Sequence, residues 1–122
     1  MDDARPLSLL IVEDEAMVLS LLRRGAEAAG CHVRATASSV PEALASLDTL
    51  SSEIDAVVLD VNLRGVSAFP VAERLRDAHT PFLVITGYTA EHVADIAGTA
   101  PILRKPFRTA LLANALRELT RH

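Results

Sequence analysis

Three short apolar runs, LSLLIV (7–12), IDAVVLD (54–60) and FLVIT (82–86), constrain this chain more than any other feature. Each is continuous rather than alternating, the pattern of a strand covered on both faces. Segments with helical spacing separate them. The first run leads into a helical pattern reaching Gly30, with Val18, Leu21, Leu22 and Gly25 on one predicted face at steps of three and four. HVRATA (32–37) reads as a weaker, alternating strand. A helix beginning near Pro41 follows, capped by Ser39 and carrying Ala43, Leu44, Leu47 and Leu50. Ser67 is the expected cap of a third helix that has Pro70 in its first turn. AEHVADIAG (90–98) reads as a short helix stopped by Gly98, PILRKPF (101–107) as a short strand, and TALLANALRELT (109–120) as an amphipathic helix.

Strand and helix thus alternate five times with mostly short loops. That order calls for right-handed crossovers and a parallel sheet with helices on both faces. The expectation is one three-layer α/β unit over residues 1–122, with no second domain. Half of the 122 residues are hydrophobic and only four are aromatic, so the core must be aliphatic. The net charge of -4 is mixed along the chain, without the basic arm or stripe that would predict a nucleic-acid partner. The lone Cys31 provides neither a disulfide framework nor a metal cluster. MDDARP is too polar for a signal peptide, and no apolar run approaches the roughly 18 residues of a membrane span. A soluble cytoplasmic protein, with no membrane partner, is the expectation.

In an open parallel sheet, ligands bind at the carboxyl ends of the strands. The first strand here ends in Glu13-Asp14, the third in Asp60, the fourth in Thr86 and the fifth in Lys105. Clustered carboxylates repel one another and favour a hard divalent cation; an open site with few oxygen ligands suits Mg²⁺. A carboxylate beside such a cation can act as nucleophile toward phosphorus, while the cation and a lysine offset the charge on the phosphoryl oxygens. A threonine hydroxyl at that edge can donate to a phosphoryl oxygen. Each residue also has a plainer role: the acids as helix caps, Asp60 as a turn residue, Lys105 as a solvated cation, Thr86 as a strand end. Their coincidence at one sheet edge favours the chemical reading.

LIVEDE, VVLDVNL, VITGY and LRKPF, in this order and spacing, resemble the receiver domain of two-component response regulators over essentially the whole chain. That resemblance implies a flavodoxin-like (βα)5 fold with strand order 2-1-3-4-5. It implies that Asp60 is the phosphoacceptor for a phosphohistidine on a sensor histidine kinase or histidine phosphotransfer protein. Asp14 would hold Mg²⁺ directly and Glu13 would assist; Asn62 would lend its backbone carbonyl. Lys105 would pair with the phosphoryl group, the Lys105–Pro106 bond would be cis, and Thr86 would be the switch hydroxyl. Such a protein is a phosphoacceptor rather than an enzyme, with self-catalysed phosphotransfer and autodephosphorylation. PFLVITGY and DVNLRGVSAFPVA further resemble single-domain receivers of the PFxFATGY ("FAT GUY") subgroup, although Val84 and Ile85 replace its Phe and Ala. The subgroup implies partnership with a sensor histidine kinase, often one of the HWE-type branch.

The chain also departs from the family. Leu63 and Arg64 stand where many receivers have Met-Pro, which predicts a loop of different shape or greater mobility after Asp60. Ile102 stands where many receivers carry an aromatic that turns inward with the switch hydroxyl, so the usual coupling is not expected. Gly87 would leave the phosphoryl group accessible, and Tyr88 would shield the site or contribute to a partner surface. Met17 and Leu19, taken as apolar surface on the first helix, are expected to help dock the kinase. The expected function is a stand-alone phosphorylation switch acting through protein–protein contacts; the alternative is a phosphate sink or phosphorelay intermediate. An aspartate-nucleophile phosphatase is disfavoured because Asn62 stands where those enzymes need a second acid.

Overall fold

The computed structural model describes residues 6–87 and 93–119. The elements run β1 (Ser8–Val12), α1 (Ala16–Ala28), β2 (His32–Ala37), α2 (Val40–Leu50), β3 (Ala56–Asp60), β4 (Asn62–Leu63), β5 (Val66–Ser67), α3 (Phe69–Asp77), β6 (Phe82–Thr86), α4 (Val93–Ala97), β7 (Ile102–Arg104) and α5 (Thr109–Leu119). Five strands form one parallel sheet in the order β2-β1-β3-β6-β7, while β4 and β5 pair separately. Counting only the sheet strands, this is the doubly wound order 2-1-3-4-5.

Period-two alternation explains the layers. Leu10, Val12, Val57, Leu59 and Val84 face the cluster built with α2, α3 and α4 (Ala43, Leu47, Val71, Leu75, Ile96). Leu9, Ile11, Val58, Leu83 and Ile85 face the cluster built with α1 and α5 (Leu22, Ala26, Leu112, Leu116). Both faces are covered by apolar side chains, so the central strands read as unbroken apolar runs.

Ser39 accepts from the Glu42 N–H (3.2 Å) at the start of α2, and Ser38 donates in turn to the Glu42 carboxylate (3.1 Å). At α3 the cap differs from expectation. Ala68 is the capping residue, and the Ser67 hydroxyl accepts from the Phe69 N–H (3.1 Å), because Ser67 is committed to pairing with Asn62 in the β4–β5 ladder. In α1 the phase differs as well. Leu19 packs against the α1–α5 cluster, whereas Leu21 is exposed on the same side as Met17, four residues earlier. Leu19 is therefore a half-buried packing residue rather than free surface. The helix turns that way because Gly25 lies directly against the buried Leu112 of α5.

On the opposite face, Arg76 joins α3 to α4. Its guanidinium donates to the Ile96 carbonyl (2.6 Å) and the Asp95 carbonyl (3.3 Å), and it stands 5.8 Å from the Phe69 ring centre. Carbonyls at a helix C-terminus lack intrahelical partners, and a cation there also suits the helix dipole. The first residues of the expected 90–98 helix lie outside the described residues.

Candidate functional site

Strand alternation also builds the site. Glu13 is in phase with Leu9 and Ile11, Asp60 with Ala56 and Val58, and Lys105 with Leu103, all members of the α1–α5 cluster. The three side chains therefore emerge on one side of the sheet at its carboxyl edge. Lys105 Nζ lies 3.2 Å from Asp60 Oδ2, 3.3 Å from Glu13 Oε1 and 3.5 Å from Glu15 Oε1. Glu13 and Asp60 are buried, at 1% and 4% exposure. Oxygens of Glu13, Asp14 and Asp60 lie within 4.8 Å of one another.

Two carboxylates this close and this buried cannot both be comfortably ionised. Burial, then the neighbouring Asp60 charge, pushes Glu13 up from 4.5 to about 7 against the opposing pull of Lys105. For Lys105, burial by itself would lower the ammonium, but Asp60 and Glu13 outweigh it and the net shift is upward. The carboxylates of Glu13, Asp14 and Asp60 outnumber the one ammonium among them, an excess of acidic oxygens that a divalent cation can offset. All three donors are oxygens, the hard ligand set that Mg²⁺ requires. Glu13 Oε1 is buried and receives no directed hydrogen bond despite its ion pair, so the site has unmet acceptor capacity. The residues fit such an ion.

Thr86 closes β6 on the strand next to β3, where Asp60 pairs with Ile85. One residue beyond Ile85, Thr86 falls in phase with Val84, toward the α2–α4 side. Its hydroxyl is buried, at 2% exposure, and has no hydrogen-bond partner among the described residues. The structure therefore brings Glu13, Asp14, Asp60 and Lys105 together and leaves Thr86, at the end of the neighbouring strand, with a donor unused among the described residues. The Thr86 carbonyl, by contrast, accepts from the Lys105 N–H (2.8 Å), so the backbones that carry the two residues are tied.

The Lys105–Pro106 bond is cis. Gly87 borders a groove of about 500 Å³ together with Val18, Leu21, Lys105, Pro106 and Phe107, and a Cβ on Gly87 would meet no neighbour within 4 Å. Ile102 is half-exposed at 48%, and Met17 is exposed at 82%. Tyr88 lies outside the described residues.

The segment after Asp60 is a two-stranded hairpin rather than a loose loop. Asn62 pairs with Ser67 and Leu63 with Val66, around Arg64 and Gly65 at φ 57° and 83°. Positive φ at both central residues is the mark of a type I′ turn. Leu63 anchors the hairpin at 1% exposure. The Asn62 N–H donates to Asp60 Oδ1 (3.3 Å), and the Arg64 N–H donates to Asp14 Oδ2 (3.0 Å). Sequence reasoning missed this second contact and the approach of Glu15 to Lys105. The x-Gly pair inside NLRGVS was the available signal for the turn.

The family model of the response regulator receiver domain matches residues 9–117. Among curated proteins, the chain is 38% identical over 118 residues to the transcriptional regulatory protein TcrA of Mycobacterium tuberculosis, covering 93% of this chain and 46% of that protein. It is 31% identical over 104 residues to the response regulator SaeR of Staphylococcus epidermidis, covering 81% and 44%. The chain thus spans about half the length of these relatives. Among solved structures, SdrG from Sphingomonas melonis Fr1 aligns with TM-score 0.78 at 34% identity, covering 98% of this chain and all of that one. A putative response regulator from Chloroflexus aurantiacus aligns with TM-score 0.80 at 28% identity, covering 94% and 98%. With these matches and the acid–lysine edge of the parallel sheet, the chain belongs to the response regulator receiver domain family.

Proposed function

We propose that this chain is a stand-alone receiver that takes a phosphoryl group onto Asp60 and signals by changing its protein contacts. The observation that carries the reading is the buried Lys105–Asp60 pair at 3.2 Å, set among Glu13 and Asp14. In the transfer, the P–N bond to a donor imidazole breaks as a P–O bond to an Asp60 oxygen forms. Lys105 stays within reach of the new phosphoryl oxygens, and the unpaired Thr86 hydroxyl has a donor to offer one of them. Glu13, Asp14, Asp60 and the Asn62 carbonyl would hold Mg²⁺, which supplies positive charge against the oxygens of the transferring group. Incubation with Mg²⁺ and a small phosphodonor should give one phosphoryl adduct by intact mass, absent from Asp60→Asn. A wild-type protein that never gains the adduct would refute the proposal.

The PFxFATGY assignment rests on PFLVITGY and DVNLRGVSAFPVA, and a match over the full length of the SdrG structure is compatible with a receiver that stands alone. The donor is then a sensor histidine kinase, of the HWE-type branch if the subgroup holds, or a histidine phosphotransfer protein. The exposed Met17 and Leu21, beside the groove at Pro106 and Phe107, are the apolar surface offered to it. Half-exposed Ile102, in place of an aromatic, favours a second reading as a phosphate sink or relay intermediate. A phosphorylation-dependent pull-down that recovers a kinase and nothing else would support that second reading.

A further inference from the structure

We infer that the β4–β5 turn is a clamp that sets the Asp14 carboxylate for the cation, with Asn62, Arg64 and Gly65 as positioning residues. The inference rests on the reading of Glu13, Asp14 and Asp60 as the Mg²⁺ site, and it concerns residues that do not themselves supply a carboxylate.

The clamp is built in three steps. Leu63 is buried in the α2–α4 cluster, and the backbone is fixed on both sides of the hairpin: Val61 N–H donates to Ile85 O (3.1 Å) and Ala68 N–H to Val61 O (2.9 Å). The turn is then locked from inside, because Asn62 Oδ1 accepts from the Gly65 N–H (2.8 Å) while Asn62 and Leu63 pair with Ser67 and Val66. Arg64 is thereby held at φ 57°, a conformation that L-residues seldom adopt, and Gly65 at 83°. In that conformation the Arg64 N–H is delivered to Asp14 Oδ2 at 3.0 Å, across fifty residues of sequence.

Asp14 sits at the mouth of the site, less buried than Glu13 or Asp60. An exposed carboxylate loses rotamer freedom when it binds a cation. A fixed N–H on one of its oxygens removes part of that freedom beforehand and leaves the other oxygen to the ion. Partners of this kind, which orient a ligand without touching the metal, typically change metal affinity by about tenfold or more. Asn62 then has two jobs: its carbonyl faces the metal in the family reading, and its side chain holds the turn that orients Asp14.

Two substitutions at Gly65 separate backbone conformation from bulk, since a Cβ there meets nothing within 4 Å. Asn tolerates positive φ, whereas β-branched Val does not. Mg²⁺ titration followed by backbone amide shifts should show Gly65→Val and Asn62→Ala weakened on the order of tenfold, with Gly65→Asn near wild type. In the metal-free proteins, the Arg64 amide should lose its hydrogen-exchange protection in the first two variants and keep it in the third. Melting temperatures identify any variant whose loss is simply global. Equal Mg²⁺ affinity in wild type and Gly65→Val overturns the clamp and leaves the site reading intact. A loss in Gly65→Asn as large as in Gly65→Val overturns it too, because backbone conformation would not be the cause. A wild-type protein that takes up no Mg²⁺ overturns the site reading, and the clamp with it.

Discussion

Lys105 Nζ stands 3.2 Å from Asp60 Oδ2 and is the ammonium that lets Asp60 stay buried beside a second carboxylate, Glu13. Replacing Lys105 with Met removes that compensation and, on the proposed function, a donor for the incoming phosphoryl group. Phosphorylation from a small donor should slow on the order of a hundredfold, the loss typical of a missing charge-stabilising donor. Thermal unfolding at neutral pH and without Mg²⁺ should show about 1–2 kcal/mol less stability, toward the lower end because Lys105 is partly solvated. Unchanged kinetics would remove Lys105 from the chemistry.

The metal-free protein should lose stability as pH rises. Glu13 goes up from 4.5 to about 7, so the folded state holds its proton more tightly than the unfolded chain does. The contribution is full below about 4.5 and fades as pH passes through about 7. Denaturant titrations between about pH 5 and about pH 8 should show that slope in wild type and not in Glu13→Gln. Saturating Mg²⁺ should flatten it, because the ion favours the charged carboxylate.

Thr86→Val exchanges a buried, unpartnered hydroxyl for a methyl. The unphosphorylated protein should be as stable as wild type or about 1 kcal/mol more stable. Phosphorylation should then raise the melting temperature less than it does in wild type, since the donor is gone. Equal increments in both proteins would show that the hydroxyl never meets the phosphoryl group.

Gly25→Ala should destabilise by about 1–3 kcal/mol, the usual range for overpacking. A Cβ at Gly25 overlaps Leu112 Cδ2 and lies 3.0 Å from its Cγ, and Leu112 is fully buried with nowhere to swing. Chemical denaturation reads this directly, and phosphorylation of the surviving folded fraction should be normal.

On α1, Leu19→Glu and Leu21→Glu should behave in opposite ways. The first places a charge against the α1–α5 cluster and should lower stability. The second, like Met17→Glu, should leave the melt unchanged and slow transfer from a kinase but not from a small phosphodonor. Identical transfer rates from the kinase would retire this face as a docking surface.

Much of this was legible in the chain. Glu13, Asp60 and Lys105 each follow a strand whose residues alternate between two buried faces, so their meeting could be expected once the strands were found. Leu19 and Leu21 could not be ordered the same way. With apolar residues at 17, 18, 19, 21 and 22, more than half the circumference of α1 is apolar, and the choice of face is made by Gly25 meeting Leu112, 87 residues further along the chain. The β4–β5 hairpin left only a faint trace for another reason: strands of two residues carry no period, and Arg-Gly is a weaker turn signal than Asn-Gly. The clamp on Asp14 is a backbone donor, which no side-chain pattern reports.

The Arg76 guanidinium on the last carbonyls of α4 makes two neighbouring helices mechanically dependent. Over its described residues, Val93–Ala97, α4 ends in carbonyls that are anchored by a charge from α3. Any rearrangement of α4 must either break a 2.6 Å charge-assisted bond or drag α3 with it. While engaged, the bond acts as a clutch that couples the carboxyl end of α4 to α3.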